Sequence, residues 1–229
     1  MSARVRAPRG PRRARGFSLI ELMVVIIIIG VVAALAVPTM AAARIDRNAY
    51  DDAGSIMQLL RSARTHAVAR GGAVLVAMTF NGMADRGTFQ MFEAVGVNPG
   101  NQGGLARAPI GTCKAPVNWV PLAGNPQAVL VDGLNLNGTV ENDFNIQTQL
   151  VPYTAGGAQA AVTQAYICFT PLGRTYYSDT GGPVFDGLQP MVTPLEFRVQ
   201  RMNGNAPVGT IRSVLLPPNG MARVFSHVP

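Results

Sequence analysis

Histidine, lysine and cysteine are nearly missing from this chain. Two histidines (His66 and His227), one lysine (Lys114), one tryptophan and two cysteines (Cys113 and Cys168) stand among 229 residues. With so few imidazoles, a Ser-His-Asp or Cys-His site has little material and a histidine-rich metal cluster has none. The two cysteines lie 55 positions apart without a CxxC pair or a nearby histidine, which is not zinc-ligand spacing. No P-loop, GxGxxG or GxSxG pattern occurs. The reading is of a protein that is not an enzyme, with no catalytic residue, metal or cofactor. His66 is expected on a helix surface beneath a sheet, and His227 in a solvated tail. Arginine takes the place of lysine, 18 to one, alongside abundant Ala, Gly and Pro. This is a genomic composition bias without functional content.

Charge is absent where it matters most. Residues 22–43 carry no charged side chain, and residues 1–16 carry six arginines (Arg4, Arg6, Arg9, Arg12, Arg13 and Arg15) and no acid. A helix rises about 1.5 Å per residue, so the 22-residue run covers roughly 33 Å, enough for a bilayer core. Positive flanks stay cytoplasmic, which points the C-terminus outward. Removing the six leader arginines from 19 basic residues leaves 13 against 12 acids. The overall net charge of +7 thus describes mainly the first sixteen residues, and the remainder is close to neutral.

One acid, Glu21, interrupts this picture at the mouth of the apolar run. A carboxylate in hydrocarbon costs several kcal/mol and is rare without a role and a partner. A secretory signal peptide would offer the same basic start, an apolar core and Ala34-x-Ala36 as a cleavage site, but gives Glu21 no purpose. A generic single-pass anchor explains neither Glu21 nor the Gly16-Phe17 junction.

The stretch Arg15-Gly16-Phe17-Ser18-Leu19-Ile20-Glu21-Leu22-Met23 resembles the N-terminal signature of type IV pilins and pseudopilins. The resemblance implies that a prepilin peptidase cuts after Gly16 and that the new N-terminal residue, Phe17, is methylated. It also implies that Glu21 pairs with the N-terminal amine of a neighbouring subunit during assembly. Pro38 falls where pilins carry a helix-kinking proline, which removes one helical hydrogen bond.

Beyond the run, Ile45, Ala49, Ala53, Ile56, Leu60, Ala63 and Ala67 recur at helical spacing. Gly71-Gly72 supply a stop and Gly54 a soft spot. Arg44, Arg47, Asp51, Asp52, Arg61 and Arg64 are read as the solvated or subunit-contacting face. Residues 73–80 and 88–95 then read as strands joined by a turn, the pattern of a hairpin. Residues 96–116, rich in Gly, Pro and Asn, read as a long loop. Short strands are expected at 128–131, 145–151, 165–170, 195–202, 210–216 and 222–226. Tyr166, Phe169, Tyr176 and Tyr177 sit at strand positions and are expected in the core. The predicted fold is α+β, a long N-terminal transmembrane and amphipathic helix packed on an antiparallel β-rich domain. The divisions are a leader (1–16), a transmembrane helix (17–43), an amphipathic helix (44–70) and a periplasmic domain (71–229).

In the oxidising periplasm that the charge rule assigns to this domain, Cys113 and Cys168 are expected to form a disulfide, the alternative being two buried thiols. Closing a loop of that length stabilises by about 4 kcal/mol in the chain-entropy model.

One long helix followed by a β-rich domain resembles the minor pilin and pseudopilin family that includes the type II secretion H subunit and FimT. Residues 167–174 look like its strand and Gly-Arg turn, and residues 219–224 like its closing strand. This resemblance implies a pseudopilus subunit near the filament tip. Its partners would be other pilin subunits, the prepilin peptidase and methyltransferase, the inner membrane and a secreted protein. The alternative is a FimT-like minor pilin that takes up DNA through a Gly-Arg-x-Arg turn. Here Gly220-Met221-Ala222-Arg223 lacks the first arginine. Four arginines, Arg198, Arg201, Arg212 and Arg223, against the single acid Glu196 in residues 187–229 would form the phosphate-binding face.

Overall fold

The computed structural model describes residues 17–80, 85–96, 108–138, 146–152, 162–179, 187–204 and 206–227, with the side chains of 35–43 outside the description. By contact the chain divides into Met1–Ala43 and Arg44–Pro229. One helix, α1 (Leu19–Arg70), contributes to both. It passes Gly54 without interruption and ends at Gly71, which takes φ +72° while its N–H bonds Ala67 O at 3.0 Å. A left-handed residue just past a helix is the position that glycine fills without a Cβ penalty.

Among the described residues ten strands follow: β1 (Val74–Thr79), β2 (Thr88–Ala94), β3 (Ala128–Asn135), β4 (Ile146–Pro152), β5 (Gln164–Phe169), β6 (Thr175–Ser178), β7 (Gln189–Pro190), β8 (Leu195–Asn203), β9 (Ala206–Leu216) and β10 (Arg223–His227). The domain is α+β and antiparallel, as expected, and its described strands form two sheets. The first runs β3-β2-β1-β5-β6-β7 and the second β10-β9-β8-β4. The expected hairpin is β1–β2. β6 carries Tyr176 and Tyr177, which were read at strand positions without bounds; the short β7 was not anticipated, and β3 and β9 extend beyond their predicted ends.

The helix stripe from Ala49 to Ala67 is buried in one core together with a face of each sheet. Val74, Val76 and Met78 of β1 and Ile167 and Phe169 of β5 come from the first, and Leu195, Phe197, Val199, Val214 and Leu216 from the second. Phe89 of β2 joins the sheets, with its ring 5.7 Å from Phe80 and 6.4 Å from Phe197. Four of the seven stripe positions are alanine, so strands can approach the helix closely.

Alternation along β1 and β5 sends Leu75, Ala77, Tyr166 and Cys168 to the opposite face of the first sheet, where they form a second core with Cys113, Val117 and Trp119. The disulfide Cys113–Cys168 fastens the connecting segment there, with Cα atoms 6.0 Å apart. Trp119 Nε1 donates to Cys113 O at 3.0 Å. Of the expected loop, 97–107 lie outside the described residues, and the rest is a packed cover whose Pro109 bridges Val95. Phe169 and Tyr166 are buried as expected, whereas Tyr176 and Tyr177 are half-buried.

Candidate functional site

The N-terminal end of α1 is built by its own residues. Gly16 and the rest of the leader lie outside the described residues. Phe17 is 79% exposed. Ser18 caps the helix: its Oγ accepts the Glu21 N–H at 3.2 Å, and its carbonyl accepts the N–H groups of Glu21 and Leu22 at 3.1 and 3.2 Å. Ser18-Leu19-Ile20-Glu21 has capping-box spacing, and an acid in the first turn meets the positive end of the helix dipole. Glu21 therefore suits the free helix as well as any later ion pair.

From Leu19 to Val32 every large apolar side chain is exposed. Such a contiguous apolar surface is stable against lipid or protein, not water. Among the described residues no helix is long and apolar enough to cross a membrane. The expected span 17–43 runs on through 35–43, whose side chains, with that of Pro38, lie outside the described residues.

Among the described residues of the domain, three polar clusters stand out. Asp52 was read on the solvated or subunit-contacting face, but it is buried, and Arg86 grips it through Nε at 2.8 Å and Nη2 at 2.7 Å. Arg86 N–H in turn donates to Asn137 Oδ1 at 2.9 Å, while Asn137 Nδ2 bonds Asp85. Thr148 N–H reaches Asp85 O at 3.0 Å, so this knot joins the helix, the β1–β2 connection and β4. Asp52 sits three residues after Ala49 and four before Ile56, on the buried stripe itself. That spacing was a signal the sequence held. The second cluster is Glu93, buried and flanked by His66 at 3.1 Å and Arg70 at 3.3 Å. His66 is thus partnered across to β2.

The third cluster lies on the face of β8, β9 and β10 turned from the helix. Glu196 accepts from Ser213 Oγ at 2.7 Å and Arg198 Nη2 at 2.9 Å. Burial acts to raise its pKa, but the bonds from Arg198 and Ser213 and the charges of Arg198 and His227 outweigh it and hold the carboxyl below its usual range. His227, expected to be solvated, is half-buried, stacked on Phe225 with centroids 5.8 Å apart and Nδ1 3.5 Å from Ser213 Oγ. A serine, a histidine and a glutamate meet here in the wrong order for catalysis. The hydroxyl donates to the carboxylate instead of to the imidazole, and Ser213 is fully buried.

The four arginines expected on one anion-binding face are divided. Register places Arg198 beside Ser213, and Arg223 beside Leu215, on the face turned from the helix. Arg201 pairs with Ile146 on the core face, and Arg212 reaches Asp46 of α1 at 3.1 Å. Arg198 and Arg212 each hold a carboxylate. The turn before β10 rests instead on the helix: Arg61 Nε donates to Ala222 O at 3.0 Å, and Arg64 Nη1 lies 3.5 Å from Met221 Sδ.

Residues 11–37 match the family model of the prokaryotic N-terminal methylation motif. The match supports a type IV pilin-like protein. It contains Gly16 and Phe17, and Ser18 and Glu21, which build the capped helix start. It ends within α1, so the domain is described by its own geometry. No curated protein and no solved structure matches the chain. Among the described residues no group of His, Cys, Asp and Glu is arranged to hold a metal. Sequence reasoning missed the Ser18 cap, although Ser-x-x-Glu before an apolar run is its signature.

Proposed function

We propose that this chain is a non-enzymatic filament subunit of the pilin-like kind, cleaved between Gly16 and Phe17, methylated at Phe17 and anchored in the inner membrane with its domain in the periplasm. The observation that carries this is the matched N-terminus: a capped helix start with a first-turn carboxylate, followed by an exposed apolar helix surface. In an assembled filament the Glu21 carboxylate would neutralise the cationic N-terminus of a neighbouring subunit, where low dielectric makes an unpaired charge costly.

The finer reading is a minor pseudopilin of a type II secretion pseudopilus, near its tip, related to the H subunit. Support comes from the single helix that keeps its stripe against a two-sheet domain. The FimT-like alternative, DNA uptake, is not favoured by arginines split between two sheet faces.

Intact-mass measurement of membrane-extracted protein tests the reading. The expected chain starts at a methylated Phe17, and a chain starting at Val37 overturns it. Glu21→Ala should leave processing intact and lower incorporation into sheared filaments at least tenfold, whereas equal incorporation would remove Glu21 from assembly.

A further inference from the structure

Strand β3 is the outermost strand of the six-stranded sheet, and among the described residues it pairs with β2 alone. Open edges are usually guarded by brevity, proline, charged side chains or bulges, and β3 has of these only one charge, Asp132, and one bulge. This one is eight residues long, contains neither Lys nor Pro, and exposes Val129, Leu130 and Val131 by 39, 56 and 38%. Its single irregularity is a bulge: Leu130 pairs with Phe92 and Asp132 with Met91, which leaves Val131 as the extra residue. The bulge sends Leu130 to the outer side and Asp132 to the helix side.

Hollows flank the edge on both faces. On the helix side a groove of about 380 Å³ is lined by Ser55, Gln58, Leu59, Ser62, Asp132 and Leu134. On the outer side a hollow of about 270 Å³ is lined by Phe92, Leu122, Ala128 and Leu130, among others. The two differ in chemistry. The outer one is mainly apolar, with Gln90 and Asn125 at its margin, while the groove is mixed and carries a carboxylate, Asp132, which accepts from its own neighbour's N–H, Gly133, at 2.8 Å. Among the described residues no cation pairs with it.

We propose that β3 is an acceptor edge for strand addition. Its occupant is an extended segment of another polypeptide, apolar where it faces the outer hollow and cationic where it faces the groove. Main-chain hydrogen bonds along an open edge give affinity, and hollows on its two faces read alternate side chains. A flat apolar patch would recognise no such alternation. Complementarity to Asp132 selects a lysine- or arginine-bearing strand over an acidic one. The inference is independent of the filament reading, because it uses only residues of the domain.

The probe is a capped eight-residue peptide alternating valine with lysine, added to the full chain in mild detergent. Amide hydrogen exchange of β3 should slow at least tenfold at saturation, with the β10 edge unchanged. Glutamate in place of lysine should weaken binding at least tenfold, and Asp132→Lys should reverse that preference. Leu130→Asp, at an exposed position, should weaken the valine–lysine peptide at least tenfold. N-methylation of alternate peptide amides should abolish the slowing. If the N-methylated peptide slows β3 as well as its parent, edge pairing is overturned. The same holds if β3 exchange is unaffected by any of the peptides, or if charge reversal at Asp132 leaves the preference unchanged.

Discussion

Replacing Asp52 with alanine should be among the most damaging single changes in the domain. The substitution removes two charge-assisted hydrogen bonds, at 2.7 and 2.8 Å, and leaves a guanidinium that is 5% exposed without its counter-ion. Nη1 of Arg86 has no hydrogen-bond partner among the described residues. Water cannot reach the cation without opening the knot between helix, connection and β4. Breaking a buried pair from one side costs about 3–5 kcal/mol, a large part of the roughly 5–15 kcal/mol by which a domain is stable. With a urea slope of about 2 kcal/mol/M, the midpoint should fall by about 2 M. Trp119, the single tryptophan, is buried against the disulfide-fastened segment and reports the transition by fluorescence in the detergent-solubilised chain. Asp52→Leu combined with Arg86→Met should recover most of the loss, since replacing a whole buried pair by apolar groups is often neutral. A midpoint shift below about 0.5 M for Asp52→Ala, or a double variant as unstable as the single, would refute the claim that the stranded cation is the source of the damage.

Replacing Cys113 and Cys168 together with serine should cost about 4 kcal/mol in the chain-entropy model, measured as a lowered urea midpoint; unreduced, unfolded protein should resist thiol alkylation. Gly220 has φ +73°, and a Cβ there would lie 3.1 Å from each of Arg64, Phe169 and Thr175, so Gly220→Ala should destabilise by about 1–3 kcal/mol in the same unfolding assay. Glu196 has a pKa lowered in the folded state from an ordinary value of 4.5. Its stabilisation is therefore complete above that value and is lost as pH falls through the lower native one. Glu196→Gln should destabilise at pH 7 and flatten the loss of stability below pH 4.5; an unchanged acid slope in urea titrations at stepped pH would sink this assignment.

Sequence alone determined what depends on local pattern. The stripe from Ala49 to Ala67 fixes which side of α1 is buried, because helical spacing decides it without reference to any partner; the cap at Ser18 to Glu21 is as local, lying within one turn, although its signature was passed over. Two apolar runs, 73–80 and 88–95, separated by turn residues likewise pointed to the hairpin β1–β2. Two cysteines in a domain assigned to an oxidising side pointed to one bridge. Tertiary structure decided everything that depends on which distant strands meet. No local stretch says which strands share a sheet, and only pairing put β4, β8, β9 and β10 apart from the rest. Two-residue strands such as β7 exist through their neighbour alone. Asp52 is tolerated on the buried stripe because Arg86, 34 residues away, is carried to it. The arginines of the C-terminal strands divide between faces because alternation and register act on each strand, and a one-residue shift would reverse every assignment. The open edge of β3 has the same origin: its exposure follows from which strand failed to find a second neighbour, a property of the whole sheet that no local stretch of residues contains.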